Sequence, residues 1–160
     1  MRQRMLARLT VGFLTFLLAA SAPGGEKPST RAAANIVQAI SRVSGTYQWR
    51  TDLGRYEYSE KIRLEELISR APAEQIAAVL IGCLDAESAT ASTIDGKPVP
   101  LGIVCYEALT QLVYYEPAEP GGDLATHWFG YISPRASPED MRKAKSAWKK
   151  AADERQLVFQ

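Results

Sequence analysis

Hydrophobic positions recur every three to four residues over five stretches of the chain, which predicts five helices. Ser29 or Thr30 caps the first, which runs to about Ser44 with Ala33, Ile36, Val37, Ile40 and Val43 on one stripe and Gly45 as its stop. A short one over 62–70 uses Leu64, Leu67 and Ile68. Ala71-Pro72 opens a third that ends near Asp85, with Ile76, Val79, Leu80, Cys83 and Leu84 on its stripe. Pro100 opens a fourth, to about Tyr115, with Leu101, Cys105, Ala108, Leu109 and Leu112 on one face. The last begins at Ser137-Pro138-Glu139-Asp140, an N-cap, a first-turn proline and two acids suited to the positive end of the helix dipole. Met141, Ala144, Trp148 and Ala151 form its apolar stripe.

Two places break the helical period. Tyr47, Trp49, Tyr56 and Tyr58 alternate around Thr51-Asp52-Leu53-Gly54, which fits a short hairpin; an aromatic-rich loop is the other reading. Asp95-Gly96 is a two-residue hairpin turn signal, and Pro98 confines its strand to an edge. Residues 116–136 carry three prolines and three glycines without periodicity, and their apolar centre, His127 to Ile132, is expected to dock back on the helices. The fold expected from this pattern is mostly α, a compact bundle of four to five helices with minor β-hairpin elements.

The first 22 residues change the picture. A basic start with Arg2, Arg4 and Arg8, an apolar run over 11–20 and small residues at Ala19, Ala20, Ser21 and Ala22 match a secretory signal. Its apolar run of about ten to twelve residues is short of the ~20 needed to cross a bilayer. Cleavage fits after Ser21 or after Ala22, although Pro23 would follow the second cut. The expected organisation is a signal peptide over 1–22, a spacer over 23–28 and a single helical domain over 29–160. No stable membrane span remains after signal removal, and the expected location is periplasmic or extracellular.

Charge and composition narrow the partners. Without the leader arginines, 16 basic residues face 18 acidic ones, a balance that argues against a nucleic-acid binder. Roughly 138 residues can bury about two thirds of their unfolded surface, enough for a core without a structural metal. In an oxidising compartment the two cysteines are expected to pair. Cys83 and Cys105 lie on the buried stripes of their own helices, and antiparallel packing would bring them together. Two buried thiols are the alternative.

The unit from Ile76 to Asp85, a connection, and then Val104-Cys105-Tyr106-Glu107-Ala108-Leu109-x-x-Leu112 resembles one helical hairpin of the HEAT-repeat class. The resemblance covers about 40 residues, and the long connection departs from the class. It implies two packed helices and function by binding, with no catalytic residues to carry over.

Candidate chemistry is sparse. The single histidine, His127, is the one candidate general base, with Asp123 or Glu119 to orient it, in a small envelope hydrolase. Glu57, Glu60, Glu107 and Glu116 offer carboxylates without a diagnostic spacing. No zinc or calcium pattern, Gly-x-Ser-x-Gly elbow or Cys-x-x-Cys pair occurs, so no metal, cofactor or catalytic residue is assigned. The last helix carries Arg142, Lys143, Lys145, Lys149 and Lys150, offset by nearby acids. The candidate partner-binding residues are Tyr47, Trp49, Arg50, Arg55, Tyr56 and Tyr58, an aromatic-and-arginine set of the kind enriched at interfaces, together with His127 and Trp128. The expected function is that of an exported, non-enzymatic protein that binds another envelope or extracellular protein. An immunity or inhibitor protein is a narrower form of the same expectation.

Overall fold

The computed structural model describes residues 30–60, 62–63, 71–113 and 129–159. The chain order is α1 (Thr30–Ser41), β1 (Thr46–Arg50), β2 (Arg55–Tyr58), α2 (Ala73–Cys83), β3 (Ala89–Ile94), β4 (Lys97–Pro100), α3 (Leu101–Leu112) and α4 (Pro138–Asp153).

The four strands form one mixed sheet in the order β2-β1-β3-β4. This corrects the expected mostly-α bundle: the architecture mixes four helices with a four-stranded sheet among the described residues. Both hairpins form where the alternation and the Asp95-Gly96 turn placed them. Their union was not expected. Thr46 and Tyr47 of β1 pair in parallel with Thr93 and Ile94 of β3, which joins two local ribbons into one surface. That pairing spans almost fifty residues of chain and leaves no local signature. Asp95 and Gly96 both take positive φ, 50° and 72°, the backbone that a tight hairpin turn of the I′ kind demands. Pro98 lies in β4, at the sheet edge, where its missing N–H costs no ladder bond.

Ser92 fastens the seam. It is fully buried, and its Oγ donates to the Val43 carbonyl at 2.8 Å. The same oxygen accepts from the Gly45 N–H at 3.3 Å and lies 2.6 Å from the Tyr58 hydroxyl. One side chain of β3 thereby holds the turn that leads into β1 and the far strand β2.

Helix α3 is the centre of the core. Nine of its twelve residues are buried, far more than one stripe, because α1 and α2 cover one side and the sheet hairpin the other. Glu107 is its single charged residue. Cys83 at the end of α2 and Cys105 in α3 form a disulfide, with Cα atoms 6.3 Å apart. The helices approach closely beside it, where a Cβ on Gly102 would collide with the Leu84 carbonyl oxygen. Helix α4 is capped as its sequence dictates: the Ser137 hydroxyl accepts from the Asp140 N–H while the Asp140 carboxylate accepts from the Ser137 N–H. It docks on α2, where Lys145 Nζ donates to the Gly82 carbonyl at 2.6 Å and to Asp85 at 2.7 Å, a cation at the negative end of a helix. Trp148 is fully buried and donates from Nε1 to the Gly130 carbonyl at 2.7 Å. Of the expected helix over 62–70, residues 62–63 are described and irregular and 64–70 lie outside the described residues, as does the loop over 116–128; residues 129–136 are irregular and place Ile132 and Pro134 in the interior.

Candidate functional site

Alternation in the β1–β2 hairpin sorts its side chains onto two faces. Tyr47 stands opposite Tyr58 and Trp49 opposite Tyr56 on one face, with ring centroids 4.5 Å and 5.1 Å apart. Such pairs are the unit of sheet stabilisation. The inner pair lies against the core, with Tyr47 only 4% exposed. The outer pair runs past the helices: Trp49 is 55% exposed.

Residues downstream complete the surface. Arg135 donates from Nε to the Tyr56 hydroxyl at 2.7 Å, and its guanidinium carbon lies 5.9 Å from the Tyr56 ring centroid. Its other end bonds Asp95 in the β3–β4 turn. Tyr131, 46% exposed, meets the buried Tyr106 edge-on at 6.1 Å, and Tyr106 meets Trp148 at 6.3 Å. Beside this surface, the segment over 130–136 and α4 enclose an open cleft of about 470 Å³, which Tyr131, Arg135 and Lys143 help to line.

Glu107 follows Tyr106 on α3 and is partly buried. Its carboxylate accepts a hydrogen bond from Gln111 Nε2 at 3.3 Å. Burial holds its pKa above the usual carboxylate range, and the bond from Gln111 and the charge of Arg55 only partly offset that. Its charge reaches Tyr47, Tyr58, Tyr106 and Tyr131 and helps to raise the pKa of each, with burial the larger cause every time. Among the described residues the buried Tyr47 hydroxyl has no hydrogen-bond partner, whereas buried polar groups are satisfied in the great majority of cases.

The structure thus brings Tyr47, Trp49, Tyr56 and Tyr58 together, as the alternation predicts. Arg50 and Arg55 do not join them: they stand opposite one another on the other face of the hairpin, where Arg50 binds Asp52, at 2.9 Å, and Glu57, although the charge of Arg55 lowers the pKa of Glu107 and Tyr131. His127 and Trp128 lie outside the described residues. Sequence reasoning missed Tyr131 and Arg135, which carry no local signal. It weighed Glu107 only as one of several carboxylates, although a lone charge in an otherwise uncharged helix is a legible signal. The basic residues of α4 are mostly engaged: Lys143 with Glu139, Lys145 with Asp85, and Arg142 with Glu87 at 3.8 Å.

Among the described residues no group of three His, Cys, Asp or Glu is placed to hold a metal ion, and no helix is long and apolar enough to cross a membrane. No family model, curated protein or solved structure matches this chain.

Proposed function

We propose that this is an exported, non-enzymatic protein that holds a protein partner against the outer end of its aromatic ladder. The observation that carries the reading is Trp49, more than half exposed at the end of a row of paired rings whose other members are buried or half-buried. Leaving an indole in water forgoes hydrophobic stabilisation that a partner would recover. Tryptophan, tyrosine and arginine are the residues that dominate binding energy at interfaces, and Trp49, Tyr56, Tyr131 and Arg135 supply all three on one surface. Placement outside the cytoplasm is supported by the Cys83–Cys105 disulfide and by the signal-like first 22 residues.

A photo-crosslinking residue at position 49, in protein produced with its leader, tests this reading. It yields a discrete protein adduct, whereas the same residue at Lys149 on α4 does not. Trp49→Ala weakens capture of the crosslinked partner roughly thirtyfold, the ~2 kcal/mol of an interface hot spot. Equal adducts at the two positions, or undiminished capture by Trp49→Ala, would refute it.

A further inference from the structure

The sheet has two outer strands, and their free edges differ. In β4, Pro98 stands opposite Thr93, next to the Ile94–Lys97 pair that closes the turn, and removes a backbone donor from the open side. In β2 every donor is kept. The Ser59 N–H donates to the Thr46 carbonyl at 3.0 Å, which fixes the phase of the β1–β2 ladder. With Gln48 opposite Glu57 and Arg50 opposite Arg55, the backbone groups of residues 55, 57 and 59 turn toward β1. Those of Tyr56 and Tyr58 point away from the sheet, and among the described residues no strand pairs with them. The charges along this edge are unevenly matched as well. Arg50 faces Arg55, and like charges directly opposite weaken a ladder. Arg50 is relieved by Asp52 and Glu57. Arg55 is exposed and has no ion pair among the described residues.

We infer that the β2 edge pairs with the β2 edge of a second copy of this chain, antiparallel about a two-fold axis at Tyr56. The register follows from the outward amides and the charges. Hydrogen bonding through Tyr56 and Tyr58 allows a symmetric pairing centred on Tyr56, on Glu57 or on Tyr58. Centred on Glu57, it sets two carboxylates against each other. Centred on Tyr58, it sets Glu57 against Ser59 and gives Arg55 no acid. Centred on Tyr56, it sets Arg55 of each copy opposite Glu57 of the other, at positions outside the hydrogen-bonded pairs, where side chains stand closest. Each Glu57 then lies between Arg50 of its own chain and Arg55 of the second copy, and the charge that lacked a partner has one. On the other face Tyr56 meets its twin, so the Trp49–Tyr56 pairs of the two copies join into one row. The two four-stranded sheets become one continuous sheet with both Trp49 side chains on the same side. This pairing does not depend on a partner at Trp49.

Sedimentation of the mature, disulfide-bonded protein across micromolar to millimolar concentration tests the pairing, and a monomer–dimer equilibrium is expected. Arg55→Glu weakens the dimer at least about tenfold, because both opposite-charge pairs become like-charge pairs. Glu57→Arg does the same. An equimolar mixture of the two variants recovers the dimer, since each copy supplies the charges that the other lacks. In a sample that mixes isotope-labelled with unlabelled wild-type protein, the Arg55 Hα of one copy shows a nuclear Overhauser contact with the Glu57 Hα of the other. Only this register brings those two protons together. That measurement needs no variant, so it decides the question even where Glu57→Arg, which also loses the Arg50 contact, fails to fold. A protein that stays monomeric at millimolar concentration would overturn the inference. So would a dimer indifferent to Arg55→Glu, a mixture of folded variants that stays monomeric, or a dimer without the Arg55–Glu57 contact.

Discussion

Replacing Ser92 by alanine deletes one hydroxyl, yet it should cost more stability than a typical surface substitution. The hydroxyl proton goes to the Val43 carbonyl, so the Tyr58 hydroxyl and the Gly45 N–H must both donate to Ser92 Oγ. Deleting it leaves three groups short of a partner at a fully buried position. Each orphaned group costs about 1–3 kcal/mol when it stays dry. Two facts reduce the sum: Gly45 N–H also reaches the Tyr58 oxygen, and Tyr58 is only half-buried, so water can serve its hydroxyl. The expected loss is therefore about 2–4 kcal/mol, dominated by the Val43 carbonyl and the Gly45 N–H. For a domain of this size that lowers Tm by roughly 10 °C. Urea denaturation followed by circular dichroism measures it, with the midpoint moving and the slope constant. Tyr58→Phe removes one of the three bonds and should be milder, and the double variant should fall short of additivity. A Ser92→Ala loss below about 1 kcal/mol at unchanged slope would show that the seam is held by other contacts.

Four further outcomes are expected. Reducing the Cys83–Cys105 bond, which closes a loop with a separation of 22 residues, removes roughly 3 kcal/mol in the chain-entropy model; thermal melts with and without reductant test this, and free thiols in the unreduced protein would refute the bond itself. Gly102→Ala should destabilise by about 1–3 kcal/mol because its Cβ would meet the backbone of Leu84. Gly82→Ala, with open space around its Cβ, should gain a few tenths to about 1 kcal/mol. Because the folded midpoint of Glu107 lies above its unfolded one, the folded state keeps a proton that the unfolded state releases. Stability from this group is full below the unfolded midpoint and declines as pH rises through the folded midpoint. Melts across that window should show the decline in the wild type relative to Glu107→Gln, with the variant the more stable at neutral pH; parallel curves would refute it.

Local features of this fold were legible in the sequence wherever the physics is local. The α4 cap at Ser137, the Asp95-Gly96 turn and the alternating aromatics of 47–58 each depend on neighbours a few residues away, and each stands where its pattern put it. The helix expected to run to Ser44 stops at Ser41, because Val43 and Gly45 are drawn into bonds with Ser92 of β3. The error in fold class has the same origin. Two hairpins weighed separately look minor beside five helical periods, and only the Thr46–Thr93 and Tyr47–Ile94 pairing makes them a layer. The site divides likewise: its rings sit on one strand face and were legible, while Arg135 and Tyr131 arrive from a distant segment whose position periodicity does not encode.

The seam between β1 and β3 is only two residue pairs wide, so the sheet is best pictured as two leaves meeting along a narrow spine. Arg135 reaches across that spine from outside, gripping Tyr56 on one leaf and Asp95 on the tip of the other. A molecule pressing on Trp49 pushes on the leaf that this clasp restrains. Loss of Arg135 would leave the two leaves tied only by the short seam and the Ser92 bonds.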